Sequence, residues 1–523
     1  MGVFFMKTNF AIECLCRTEK TPDNPAIYSV ERGTFSYQWL WEQAKRFGNV
    51  LHGLGVNKGD RYACVLPNIP EAAVVFLGGQ LIGSVPVMVF IGYKEKEFEH
   101  IFRISGAKVI VTTAEHRKKV EGATLEGGPK QILVIDEATE ELPSFSQLMS
   151  EGSDDLNPVV NEADEIAEIM FTSGTSGTPK GVPHTHSNMM RQCEFMRSVS
   201  WGGLGPGDVI YTQAPIGFAI GLHCHIHFPF YSGACSVYCT ERVSPERFLE
   251  LVKKYRVTHI ITTATHLWKV LSVPPQPQCM KTVKSLAVGG SAVTKSLFGK
   301  WCEAYRGILP RASLSMTELF GSALGMAIGE GRPDTVGKLW PGWEARIIDT
   351  ADPEGRKEVQ RGENGVLWLK GPSVLPYYWN DKKLTDEKLR DGWFKTDDLV
   401  YEDEEGYFHH VGRLDELIKS SGWRVSPVEI ENVLREHHSI EDVAVVGISS
   451  QIKGQEIVAV IVPSQPVADE GSLFEELKTF VRERLAGYKV PGRFVLKESL
   501  PRTATGKVQR KQLSEELSRL VEE

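Results

Sequence analysis

The chain has 523 residues, 41% of them hydrophobic and 24% charged, a length that exceeds one core and predicts about three units of roughly 150 residues. Its 59 Lys+Arg against 67 Asp+Glu give a formal charge of −8 with no long block of either sign, which excludes a basic footprint for nucleic acid and a polybasic membrane patch. Nine scattered cysteines without a CxxC pair fit free thiols in a reducing compartment, so a cytoplasmic protein is expected.

In chain order, Met1 to Lys7 carries too short an apolar run for a signal peptide. Residues 25–35 alternate like a short hairpin, and Ser36 reads as the N-cap of a helix with Leu40, Ala44, Phe47 and Leu51 on one face. Tyr62–Leu66, Val85–Phe90, Val109–Thr112 and Ile132–Ile135 read as strands, each trailed by a helical pattern. The uncharged stretch from Ala72 to Tyr93 invites a membrane reading, but Gly78-Gly79, Gly83-Ser84 and Pro86 break it. A helix from Pro70 to Ile82 followed by a buried strand is expected instead.

A further strand, Ile166 to Phe171, leads into Phe171-Thr172-Ser173-Gly174-Thr175-Ser176-Gly177-Thr178-Pro179-Lys180-Gly181. Glycines free backbone N–H groups to turn toward a ligand, hydroxyls add donors and a lysine adds charge, which is the equipment for holding phosphates. The GxxxxGK[ST] pattern does not fit: counted from Gly174, its second glycine falls on Pro179, and Gly181 follows Lys180. On its own such a run is more often a plain flexible loop.

Strand–helix alternation resumes with strands at Val209–Thr212, Ala234–Tyr238, His259–Thr262 and Ser285–Val288 and a helix at Pro245–Lys254. The first 340 residues therefore read as two doubly wound α/β subdomains. From Trp340 the texture turns to short alternating runs, such as Ala345–Asp349 and Gly365–Lys370, read as a small barrel-like β subdomain. Beyond about 415 a small α+β domain is expected. Capping boxes at Ser426-Pro427-Val428-Glu429 and Ser472-Leu473-Phe474-Glu475 open its helices, Asp442–Gly447 and Glu456–Val462 pair, and Arg493–Leu496 is the last strand.

Five segments in order resemble the adenylate-forming superfamily of acyl- and aryl-CoA synthetases, adenylation domains and luciferases. They are the glycine loop, Met316-Thr317-Glu318, Gly392-Trp393-Phe394-Lys395-Thr396-Asp397-Asp398, Gly412-Arg413-Leu414-Asp415-Glu416 with Ile418-Lys419-Ser420-Ser421-Gly422, and Pro501-Arg502-Thr503-Ala504-Thr505-Gly506-Lys507. Singly, Glu318, Asp398 and Lys507 read as ordinary surface or turn residues; their shared order changes that. The resemblance implies a large domain over 1–414, a small mobile domain over 415–523 with Asp415 as hinge, and a two-step reaction. A carboxylic acid and ATP give acyl-AMP and pyrophosphate; a thiol then displaces AMP.

The same resemblance implies the site residues. Thr172, Ser173, Gly174, Thr175, Ser176, Gly177 and Lys180 hold the β- and γ-phosphates, Thr317 the α-phosphate, and Glu318 a Mg²⁺ ion. Asp398 and Arg413 take the ribose, Leu314, Ser315 and Ser291 adjoin the nucleotide, and Lys507 bridges carboxylate and α-phosphate. Lys419, Ser421, Gly422 and Trp423 border coenzyme A, and the acid lies among Phe218, Ala219, Ile220, Gly221, Gly289 and Gly290. Two departures stand out: Leu314-Ser315 replaces the usual Tyr-Gly before x-T-E, and Asp397 replaces the glycine of T-G-D.

Ala219, where amino-acid-activating members carry an aspartate, argues against an ammonium-bearing substrate. Ser315, where acetate-specific members carry tryptophan, leaves room for a larger acid. With Tyr378-Trp379-Asn380 and residues 421–431, these features look most like benzoate-CoA ligases and medium-chain acyl-CoA synthetases. The alternatives are a free-standing adenylating enzyme that loads a carrier protein and an inactive member of the fold. The expected partners are a small carboxylic acid and coenzyme A, with no nucleic acid and no membrane span. His223-Cys224-His225-Ile226-His227 could hold Zn²⁺ on a strand face, but no partner segment stands out and a buried helix is expected after the acyl-pocket segment, so packing or pocket lining is the expected role. His184 and His186 are expected to be structural or to rim the pocket.

Overall fold

The apolar runs of the N-terminal half pair as largely parallel strands. In the computed structural model, which describes residues 7–123, 129, 131–138, 144–173, 178–290, 293–352, 354–421, 423–450, 453–502 and 508–522, they form two sheets. The first runs Pro179–Thr185, Ile166–Ser173, Val85–Met88, Arg61–Val65, Val109–Thr112, Gln131–Val134, parallel except for the opening antiparallel pair. The second runs Pro310–Ala312, Ser285–Gly289, His259–Thr263, Val209–Tyr211, Cys235–Tyr238, Pro25–Ser29, Gly33–Ser36 and ends in the expected hairpin.

Helix Pro70–Leu81 is buried along its length apart from Glu71, which is why it lacks the polar stripe of a surface helix. It packs in a core with Phe10, Phe47, Phe76 and Tyr62 that also takes in Leu222, Ile226 and Phe320. Among the described residues, no helix is long and apolar enough to cross a membrane. Seven of the nine cysteines are buried, Cys16 is exposed and Cys302 is half-buried, all as free thiols.

The chain divides into two compact units, Met1–Val293 with Leu297–Glu344 and Lys370–Phe394, and Thr294–Ser296 with Ala345–Leu369 and Lys395–Glu523. This division by compactness differs from the 414/415 boundary read from the sequence, because residues 395–414 pack with the second unit. The region expected to be barrel-like holds a five-stranded sheet in which Trp393–Glu402 lies beside Gly365–Lys370 and pairs antiparallel with Phe408–Arg413.

The C-terminal sheet is built on the long hairpin Ile440–Ser450 with Gly454–Pro463, joined in parallel by Arg493–Leu496. Its period-two alternation feeds two cores. Val443 and Val445 face helices Pro427–Leu434 and Glu470–Arg482, while Ala444, Val446 and Ile448 face Leu513 and Leu517 of Arg510–Glu522. Ser426 caps its helix as expected, but Glu429 turns its carboxylate to Lys489 instead of closing the box. Ser472 is not a cap: Asp469 accepts from Ser472 N–H and starts the helix three residues earlier, an aspartate taking the role that the serine pattern suggested.

Candidate active site

Two strands frame the glycine loop, with Thr172 opposite Lys180 and Ser173 opposite Pro179. Gly174, Thr175, Ser176, Gly177 and the Ser173 side chain lie outside the described residues, as do Ser291, Gly422 and Lys507. On either side of residues 503–507, Arg502 and Val508 are bridged and Gln509 N–H donates to Pro501 O at 2.8 Å.

The strand Leu314–Met316 pairs with Gly321–Gly325, and between them Thr317–Leu319 make one tight 3₁₀ turn. Phe320 closes the turn at φ 49° and ψ 36°, a left-handed conformation that is strained for a bulky aromatic. Every carbonyl of the turn has a donor. Thr317 O accepts Phe320 N–H at 3.0 Å and His184 Nε2–H at 2.7 Å. Glu318 O accepts Leu375 N–H at 2.8 Å, and Leu319 O accepts the Ser373 hydroxyl at 2.7 Å. The Glu318 carboxylate accepts Tyr378 O–H at 3.0 Å on Oε1, while Oε2 has no partner among the described residues. A hard carboxylate oxygen held by a neutral phenol fits Mg²⁺.

Phe218 begins the helical turn Ala219–Leu222, stacks on Phe90 at 4.3 Å and meets Tyr93 edge-on at 6.4 Å. A Cβ placed on Gly289 would meet Ile220 Cδ1 at 3.3 Å and Ser315 Oγ at 3.9 Å, so three segments distant in sequence converge there. Gly221 admits no side chain, since a Cβ would lie 2.0 Å from Pro215 O. Leu314 is half-buried opposite Leu324. Gly290 has φ 81°.

In the second unit Asp398 and Arg413 are cross-strand partners. Asp398 is buried, and its Oδ1 lies 3.2 Å from His410 Nε2 and 3.5 Å from Arg413 Nη1. Arg413 Nε donates to Asp415 Oδ1 at 3.1 Å. Burial opposes the guanidinium charge, yet Asp398, Asp415 and Asp397 outweigh it and hold the Arg413 pKa above its ordinary value. Asp397 sits at φ 66°, which explains the departure noted above: the backbone needs the left-handed region, and aspartate is one of the few side chains that tolerates it.

Lys419 is exposed on Ile418–Ser420, its N–H donating to Gln455 Oε1 at 2.7 Å. Ser421, at φ 50°, donates its N–H to Lys453 O. Trp423 is 55% exposed and stacks on Tyr488 at 4.5 Å.

The sequence reading missed His410, Tyr378, Phe90 and Tyr93 as partners of the site. Tyr378 stood in a segment that the resemblance singled out; the others carry no local signal.

The histidine run folds as a wide turn in the core rather than a strand, so its three imidazoles do not share one face. His225 meets Ser236 Oγ at 3.2 Å and Ala214 O at 3.3 Å, while His223 and His227 approach each other. Among the described residues, the group with three candidate metal donors is elsewhere: His437, His438 and Glu476. There Ser439 N–H donates to His437 Nδ1 at 3.3 Å, so the ring proton is on Nε2 and faces Glu476 Oε1 at 3.1 Å, a hydrogen-bonded pair instead of a ligand set. His186 Nδ1 accepts Phe10 N–H at 3.1 Å, a structural role.

Residues 16–379 match the AMP-binding enzyme family and residues 429–507 the AMP-binding enzyme C-terminal domain. The mitochondrial acyl-coenzyme A synthetase ACSM3 of Pongo abelii is 28% identical over 514 residues, covering 94% of this chain and 86% of that protein. The crystal structure of a benzoate CoA ligase from Burkholderia xenovorans LB400 superposes with a TM-score of 0.88 at 27% identity, covering 97% of this chain and 99% of that one. O-succinylbenzoate coenzyme A synthetase from Bacillus subtilis, in complex with ATP and magnesium ion, gives 0.83 at 25% identity, covering 97% and 99%.

Proposed function

The chain belongs to the AMP-binding enzyme family, and from that premise we propose that it is an ATP-dependent acid–CoA ligase acting on a benzoate-like aryl or medium-chain acid. The carboxylate attacks the α-phosphorus of ATP, pyrophosphate leaves, and the thiol of coenzyme A then attacks the acyl carbonyl and expels AMP. Bringing two anions together makes the first barrier largely electrostatic. The observation that carries this reading is the Thr317–Leu319 turn, whose three carbonyls are all engaged while Glu318 keeps one carboxylate oxygen unpartnered among the described residues.

In that turn Thr317 holds the α-phosphate and Glu318 takes Mg²⁺, which when bound offsets phosphate charge. The glycine loop holds the pyrophosphate that departs. Asp398, with Oδ2 beyond its contacts to His410 and Arg413, accepts from the ribose hydroxyls. Lys507 bridges the attacking carboxylate and the α-phosphate, and Asp415 is the pivot between residues 1–414 and 415–523, so the lysine arrives for one half-reaction and withdraws for the other. The Phe218–Phe90 stack and the Ile220–Gly289–Ser315 convergence favour a flat or short apolar acid. Buried free thiols favour a cytoplasmic setting.

An acid screen for AMP release with and without coenzyme A tests the assignment. CoA-dependent turnover of an aryl or medium-chain acid is expected; acyl transfer to a carrier protein alone would overturn it. Lys507→Ala is expected to slow acyl-AMP formation by roughly a hundredfold or more, while thioester formation from supplied acyl-AMP survives. Equal loss of both half-reactions would remove the lysine from this role.

A further inference from the structure

Glu168 is a carboxylic acid in the core of the first unit. It is 0% exposed, on the strand that leads into the glycine loop. Its Oε2 lies 3.0 Å from His227 Nε2 but off the line of a ring N–H, so neither Glu168 oxygen has a full hydrogen bond among the described residues. His227 Nδ1 lies 2.8 Å from His223 Nδ1, and His184 is the cross-strand partner of Glu168. The rings of His184, His223 and His227 then surround one aromatic, Phe320, with centroid distances of 5.1, 4.4 and 4.8 Å. Phe320 is the left-handed residue whose N–H closes the Thr317–Leu319 turn.

Two Nδ1 atoms at 2.8 Å must share a proton, which gives the cluster a direction. Burial pushes the Glu168 carboxyl up to about 8 and the His184 imidazole down to about 4, with His223 and His227 also well below their ordinary value, so the neutral form of each is favoured. Neutral Glu168 then sits against His227 Nε2 in a polar contact off the hydrogen-bond line, and the two Nδ1 atoms hold one proton between them, a chain of contacts from strand to turn. Such a chain does not stabilise the fold: its polar atoms are buried without full partners, where apolar side chains could fill the same space. It does fix the orientation of the rings around Phe320.

We propose that Glu168, His227 and His223 are positioning residues for adenylation: their chain fixes the rings that seat Phe320, and with His184 on the Thr317 carbonyl this sets Thr317 and Glu318 in place. The proposal rests on the reading of that turn as the adenylate site, and the experiment separates the two.

ATP–pyrophosphate exchange with the acid found by screening is measured for wild type, Glu168→Leu, Glu168→Gln, His223→Phe and His225→Leu. The leucine and phenylalanine variants are expected to lose roughly tenfold or more in kcat, with KM for the acid within about twofold. Glu168→Gln, which keeps a neutral polar group of the same shape beside His227, should recover to within about threefold of wild type. His225→Leu, outside the chain, should lower Tm and spare kcat. An unchanged kcat in both Glu168→Leu and His223→Phe, or a fall shared equally by Glu168→Gln and His225→Leu, would reduce the cluster to packing. A wild type inactive with every acid would sink the ligase assignment instead. The chain is then read from hydrogen exchange at the Phe320 amide: about tenfold faster in Glu168→Leu and unchanged in His225→Leu supports it, and equal protection in both overturns it.

Discussion

Glu168 in the first unit and Glu431 in the second are equally buried, at 0% and 1% exposure, and are held by opposite means. Glu431 accepts Arg510 Nη2 on both oxygens at 2.8 and 2.9 Å, Arg435 at 3.2 Å and Val445 N–H at 2.8 Å. Arg510 also reaches Glu416, next to Asp415, at 3.2 Å. Burial works against the Arg510 charge, but Glu431 and Glu416 more than restore it. Among the described residues, Glu168 has imidazoles around it and no cation. In one region pairing keeps a charge inside; in the other the absence of a cation favours the neutral acid. The paired network secures structure, joining helix Pro427–Leu434, strand Ile440–Ser450 and the helix that follows Lys507, whereas the unpaired one is better understood through the site beside it.

The sharpest way to break this comparison is to remove the cation. Arg510→Met leaves Glu431 charged and under-partnered and is expected to destabilise the second unit by about 3–5 kcal/mol in denaturant unfolding. A loss near zero would mean that the network is solvated. Glu168→Leu, which removes a neutral acid, should shift stability by only about 1 kcal/mol in either direction.

The next effect is on pH. A carboxyl raised to about 8 in the folded chain binds a proton that the unfolded chain has already released, so its stabilisation fades as pH rises from the ordinary carboxylate range through about 8. Between pH 6.5 and 8 this amounts to about 2 kcal/mol. The groups facing Glu168 are His184 from its partner strand, His227 from the core turn with His223 behind it, and the Cys193 thiol, itself raised by burial. The lowered histidines act in the opposite direction and only on the acid side, where stability is lost as pH falls below their ordinary value toward about 4. Glu168→Gln should therefore flatten the decline above pH 6.5 and steepen the acid limb, where the raised carboxyl no longer offsets the histidines; an unchanged alkaline limb would place the titration elsewhere.

The smallest expected effect is at Asp397. With φ at 66°, glycine there should raise stability by about 0.5–1 kcal/mol by thermal unfolding. A loss would show that the aspartate's proximity to Arg413, with Nη2 at 4.0 Å, outweighs the strain.

Periodicity and caps made most strands and helices legible, because their signals are local: helix Pro245–Lys254 and strands Gly365–Lys370 and Arg493–Leu496 keep the bounds read from the sequence. The second capping box failed because Asp469 and Ser472 compete for one helix start, and only packing decides between them. Motif residues such as Thr317, Glu318, Asp398 and Arg413 were singled out by order and spacing, and as sites they stand as proposals. The seat of Phe320 was not legible, since Glu168, His184, His223, His227 and Phe320 come from four separate segments and meet only in the folded core. The run from His223 to His227 was expected in a buried helix and lies in helical turns, but nothing local showed which rings would meet.

The free thiols described with the fold have a practical consequence. Seven sulfurs are shielded, so a dye that reacts with cysteine reaches Cys16 first and Cys302 more slowly. Replacing those two with serine gives a chain that is nearly silent to labelling without touching the core. A cysteine introduced in each unit of that background would carry a fluorophore pair, and a change in energy transfer between them during turnover would test the proposed pivot at Asp415.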